Sequence, residues 1–217
     1  MVLKNQKFSL KIYYERRIFL SKKYIKNFFY RDEKALMSIS RCGHVSHNNL
    51  KEFIAEKRIL NYIRDELVTK EVFSKNNGEQ LVGYKLTAEG RKIVEREYGF
   101  KDHQIAQSLN HDLGIAKVYF SLSQEERDTW KTETQIRNEF EERIEEIRLN
   151  DYERYEEINK LIEERQISII DCSYIDKETG IENYAEVITN SYGQAEIESK
   201  ERFIEIMNIK SYLIERV

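Results

Sequence analysis

The chain has 217 residues, 40% of them hydrophobic and 12% aromatic, so one large or two small packed domains form despite 35% charged residues. No apolar run reaches the roughly 20 residues of a membrane span, and two widely separated cysteines, Cys42 and Cys172, argue against a disulfide scaffold and for a reducing cytoplasm. The net charge of −3 conceals a division: residues 1–100 carry 21 Lys and Arg against 12 Asp and Glu, and residues 101–217 carry 15 against 27, so only the first half suits a polyanion.

Residues 1–29 form a basic arm that mixes Lys and Arg with Tyr and Phe and lacks the cleavage pattern of a signal peptide. "YRDEKALMSISRCG" (30–43) predicts a helix ended by Gly43, with Ala35, Leu36 and Ile39 inward. Ser46 is a suitable cap for a short helix burying Leu50, Phe53 and Ile54. "AEKRILNYIRDEL" (55–67) predicts an amphipathic helix with Ile59, Leu60, Ile63 and Leu67 inside and Lys57, Arg58, Asn61 and Arg64 largely opposite. Residues 69–86 read as two strands around the turn dipeptide Asn77-Gly78, and Thr87 caps the next helix.

Three helices, a hairpin and a helix describe a winged helix-turn-helix over residues 30–100. In that geometry the third helix enters the major groove of double-stranded DNA. Arg58, Asn61 and Arg64 suit base edges, Lys57 suits phosphate, and Lys75, Asn76 and Asn77 stand at the wing tip. Cys42, His44 and His47 offer metal-ligand types but no fourth ligand at a recognisable spacing, and His103 and His111 show no partner pattern.

Residues 101–217 predict a helix over 111–123, a strand over 129–137, a long charged helix over 138–165, strands over 166–176 and 184–190, and a closing helix with a short final strand. The 138–165 segment carries a narrow apolar stripe of Phe140, Ile144, Ile147, Tyr155, Ile158 and Ile162, which suits a homodimer contact. The expected fold class is α+β: a winged helix-turn-helix, then a second α/β domain with a helical insertion.

That second pattern resembles the core of the PD-(D/E)XK nuclease fold. The resemblance implies Mg²⁺ held by Asp171 and Glu186, an outer carboxylate from Glu133, and an amine from Lys200. The whole layout resembles the replication-relaxation family of plasmid and phage proteins, through "YKLTAEGRKIV", "HDLGIAKVYFSL", "WKTETQIR" and "YAEVITNSYGQAEIESKERF" in that order. The chain departs from the nuclease pattern at Ile188, where a lysine belongs, in lacking a proline before Asp171, and in the insertion between the first two strands. Those departures favour a degenerate site, with the first domain binding duplex DNA of a mobile element. The alternatives are a metal-dependent endonuclease or nicking enzyme, and a PadR-like regulator whose second half is wholly helical.

Overall fold

The computed structural model describes residues 23–74, 78–189, 192–210 and 212–217. Most of the basic arm, and Lys75, Asn76 and Asn77, expected at a wing tip, lie outside the described residues.

Local chemistry sets the first elements. Helix α1 (Tyr30–Cys42) starts where the Phe29 N–H donates to Asp32 Oδ2 at 2.8 Å, and it stops at Gly43, whose φ of +80° favours glycine. Helix α2 (His47–Phe53) is capped by Ser46, whose Oγ accepts from the Asn49 N–H while Asn49 Oδ1 accepts from the Ser46 N–H. Helix α3 (Glu56–Arg64) follows, then strands β1 (Val68–Ser74) and β2 (Gln80–Leu86), paired antiparallel from Val68↔Leu86 to Ser74↔Gln80. Thr87 caps α4 (Ala88–Tyr98) by accepting from the Gly90 N–H at 3.0 Å.

The inner face of α3 differs from the expected one. Leu60 is 44% exposed, whereas Tyr62 is fully buried and donates its hydroxyl to Asp32 Oδ1 at 2.6 Å. The large ring supplies the apolar area and the buried carboxylate satisfies its polar end, a combination a count of aliphatic residues overlooks.

The second half contains α5 (Leu109–Ser121), α6 (Gln124–Asp128), β3 (Lys131–Thr132), α7 (Glu133–Asn150), α8 (Tyr152–Glu163), β4 (Cys172–Ile175), β5 (Glu182–Ile188), α9 (Gln194–Ile206) and β6 (Tyr212–Arg216). The strand expected over 129–137 shrinks to two residues. Thr132 is a helix cap: its Oγ1 accepts from the Gln135 N–H, and Gln135 Oε1 accepts from the Thr132 N–H at 3.1 Å, so helix begins at Glu133. The single helix expected over 138–165 is two, broken at Asp151, which ends α7 and caps α8 by accepting from the Arg154 N–H at 3.1 Å. Strand β4 is shorter than expected and leaves Asp171 just ahead of it.

The sheet order is β3-β4-β5-β6, antiparallel except for the β5–β6 pair, which is parallel and joined through α9. The mixed α+β class is thereby established. The wholly helical alternative is set aside, because Cys172↔Ala185 and Tyr184↔Tyr212 pair within this sheet.

Two apolar cores hold these elements together. The first joins Leu36, Ile39, Leu50, Tyr62 and Val94 to Ile115, Trp130, Ala185 and Val187, so it runs across residue 100 without interruption. The second joins Ile136, Phe140, Ile158, Ile170, Tyr184 and Phe203. The sheet lies between them, and α5 approaches β5 so closely that a Cβ on Gly114 would stand 2.5 Å from Val187 Cγ1. Among the described residues no helix is long and apolar enough to cross a membrane.

Candidate functional site

Strand β5 is buried on both faces, and Glu186, in its middle, is 1% exposed. A carboxylate there requires partners. Glu186 Oε1 receives the Lys200 ammonium of α9 at 2.8 Å and the Tyr192 hydroxyl at 2.6 Å, and Oε2 accepts from the Asp171 N–H at 3.3 Å. Lys200 also donates to the Ile169 carbonyl. Asp171 is equally buried; its Oδ2 accepts from the Val187 N–H at 2.8 Å and faces His111 Nε2 of α5 at 3.2 Å.

The structure therefore brings together three of the four residues expected at a catalytic site, Asp171, Glu186 and Lys200. Glu133 stands apart: its carboxylate pairs with Arg137 at 2.5 Å and accepts from Gln107 Nε2 at 3.4 Å, neither of them part of the cluster. Ile188 occupies the expected lysine position as a buried apolar residue.

Electrostatics divide the two acids. Burial pushes the Asp171 carboxyl up, but the His111 hydrogen bond and the Lys200 charge outweigh it and hold the group below its ordinary value. Burial, then the Asp171 charge, push Glu186 up to about 7 against the pull of Lys200 and Tyr192. Burial opposes charge on His111, yet its bonds to Asp112 and Asp171 raise it to about 10.

As arranged, the cluster does not fit Mg²⁺. That ion takes near-octahedral oxygen ligation and keeps several waters, whereas these carboxylates are buried and satisfied by an ammonium, a phenol, an imidazole and backbone N–H groups. Among the described residues no group of three or more His, Cys, Asp or Glu is disposed to hold a metal ion.

Residues not singled out by pattern extend the cluster. Asp112 is fully buried between His111 and His44, with His44 Nδ1 2.7 Å from Asp112 Oδ2 and His111 Nδ1 3.3 Å from Oδ1. His44 Nε2 lies 3.0 Å from Glu71 Oε2 on β1, and Glu71 pairs with Lys85 on β2. The available signal was adjacency: His111 and Asp112 share the helical face of Ile115, Ala116 and Tyr119, where unpaired polar groups are costly. Cys42, His44 and His47 do not converge: Cys42 is core, and His47 sits between the Tyr84 hydroxyl and Glu56.

The residues expected on DNA separate into three groups. Lys57 and Arg64 are exposed on α3, Arg64 over the Tyr24 ring at 5.3 Å. Arg58 turns inward, its Nε and Nη2 donating to the two oxygens of buried Asp32 at 2.7 and 2.8 Å. Asn61 is half-buried, its Oδ1 enclosed without a hydrogen-bond partner among the described residues. Comparisons with protein-family models, curated proteins and solved structures return no match.

Proposed function

We propose that the protein binds double-stranded DNA through α2, α3 and the β1–β2 hairpin, read as a winged helix-turn-helix, and that its nuclease-like second half is a charge-compensated scaffold. The observation that carries this reading is a set of exposed cations on those elements: Lys51, Lys57, Arg64 and Lys70 enter no ion pair among the described residues. Such side chains release counterions when they meet phosphates. Arg58 and Asn61 lie too far inward for base contact, so Arg64 is the base-reading candidate on α3. By the replication-relaxation resemblance, the target lies in plasmid or phage DNA and the process is replication, transfer or transcription control. The tip of the α7–α8 pair exposes Leu149 and Tyr152, which supports self-association there and would register as a dimer in sedimentation.

A specific observation keeps a second reading in play. Lys200 reaches Glu186 from α9 and so supplies the amine that Ile188 cannot. The test uses supercoiled plasmid and the full-length protein with Mg²⁺ or Mn²⁺. The scaffold reading expects retention of the plasmid in a gel without nicking. Nicking that disappears in folded Glu186→Ala and Lys200→Met variants would replace it with the nuclease reading.

A further inference from the structure

The hairpin and the Asp171–Glu186–Lys200 cluster are joined by an unbroken series of polar contacts, half-exposed at Lys85 and Glu71 and buried from His44 onward. Lys85 holds Glu71, Glu71 meets His44 at 3.0 Å, His44 meets Asp112 at 2.7 Å, Asp112 meets His111 at 3.3 Å, and His111 meets Asp171 at 3.2 Å. His44, Asp112, His111 and Asp171 are each less than a tenth exposed. Buried groups of this kind are satisfied by one another or not at all, because water is not there to replace a lost partner.

The surrounding packing leaves little slack. A Cβ on Gly83 of β2 would stand 2.2 Å from Leu109 Cδ1, and one on Gly114 would stand 2.5 Å from Val187 Cγ1. Helix α5 is thus pressed against the hairpin through Leu109 and against β5 through Gly114, with His111 and Asp112 between those contacts. A Cβ on Gly43 would fall 2.6 Å from Asp112 Oδ2, so the turn after α1 also closes onto the series.

We infer that the series Glu71–His44–Asp112–His111–Asp171 is a coupling device that ties the base of the hairpin to the Asp171–Glu186–Lys200 cluster, so that loosening either end loosens the other. Close packing makes such a series pass between discrete arrangements rather than stretch. Its consequence for function rests on the DNA reading: a duplex seated on the hairpin would tighten the cluster, and a change at the cluster would alter grip on the duplex. The coupling itself is a property of the protein alone.

Amide hydrogen exchange on the full-length protein tests it. The probes are the amides of Val45 and Tyr84, which bond to each other's carbonyls at 3.1 and 2.9 Å beside His44. The far-end perturbation is Tyr192→Phe, which removes one hydrogen bond to Glu186 and touches no hairpin residue. We expect exchange at Val45 and Tyr84 to quicken about fivefold, as a coupling within the usual range for networked residues implies, while Ile93 and Val94 of α4 stay unchanged. Combining Tyr192→Phe with Glu71→Gln should give less than the product of the two single effects. Unchanged probes, equal quickening at every amide, or multiplicative effects would overturn the inference. Added duplex DNA should slow exchange at Val187; binding without that change would sever the functional link. Absence of binding would refute the DNA reading, with the variant data still deciding the coupling.

Discussion

Lys200→Met removes the ammonium from a pair whose side chains are 7% and 1% exposed and leaves Glu186 and the Ile169 carbonyl short of a donor. Removing one partner of a buried ion pair costs about 3–5 kcal/mol when the remaining charge has no escape. Glu186 has an escape, because burial and Asp171 already raise it to about 7 and the loss of Lys200 raises it further. A carboxyl raised above its unfolded value contributes stability that is complete below that value and lost as pH rises through the folded one. In the variant the loss continues to higher pH than in the wild type, so the gap between them widens with pH. At pH 5.5, where the carboxyl is protonated in both proteins, the cost falls to the missing hydrogen bonds, about 1–2 kcal/mol. At pH 8 it should approach about 3–5 kcal/mol, a fall in Tm of roughly 6–20 °C for a chain of this size. Thermal and urea denaturation of both proteins at the two pH values measures this. Equal costs at both, or a cost below about 1 kcal/mol at pH 8, would show that Lys200 does not compensate Glu186.

His111, raised to about 10 by Asp112 and Asp171 against burial, contributes stability that is complete below its ordinary value near 6.5 and lost as pH rises through 10. Wild-type stability should therefore fall between pH 7 and 9.5 and that of His111→Gln should change less; parallel urea-denaturation profiles would contradict the assignment. Arg58→Ala leaves buried Asp32 without its cation and should cost about 2–4 kcal/mol of stability. Duplex affinity of the folded Arg58→Ala protein should stay within about twofold, since its guanidinium faces inward; a large affinity loss at unchanged stability would return Arg58 to the DNA face.

Elements announced by local chemistry were legible in the sequence. Ser46 and Thr87 cap helices, Gly43 ends one, and Gly78, with a φ of +83°, lies between paired strands. The misreadings arose where one residue type serves two local patterns. Thr132 and Thr134 complete a period-2 alternation with Trp130 and Ile136, yet Thr132 and Gln135 also form a capping box, and the helix they start buries Ile136 and Phe140 four residues apart. Asp151 hides its break because a capping aspartate looks like any other charge in an acidic helix. At the site, Asp171, Glu186 and Lys200 could be named because the order of strands and helix resembles the PD-(D/E)XK core, and the three do lie together. The His44–Asp112–His111–Asp171 bridge could not, because its His44–Asp112 and His111–Asp171 contacts span 68 and 60 residues of chain and depend on how α5 seats against both halves. The inward turn of Arg58 is likewise a tertiary choice: Asp32 is buried, and the nearest cation completes it.

The claim that exposed cations of the first half bind duplex DNA is tested most directly by the salt dependence of binding. The full-length protein and its Lys57→Ala and Lys70→Ala variants are titrated with a mixed-sequence duplex over about 50–200 mM salt. The account predicts that the logarithm of the binding constant falls linearly with the logarithm of salt concentration, and that each variant reduces the slope by about 1 while folding as the wild type does. A salt-independent constant, or variants with the wild-type slope and affinity, would contradict it.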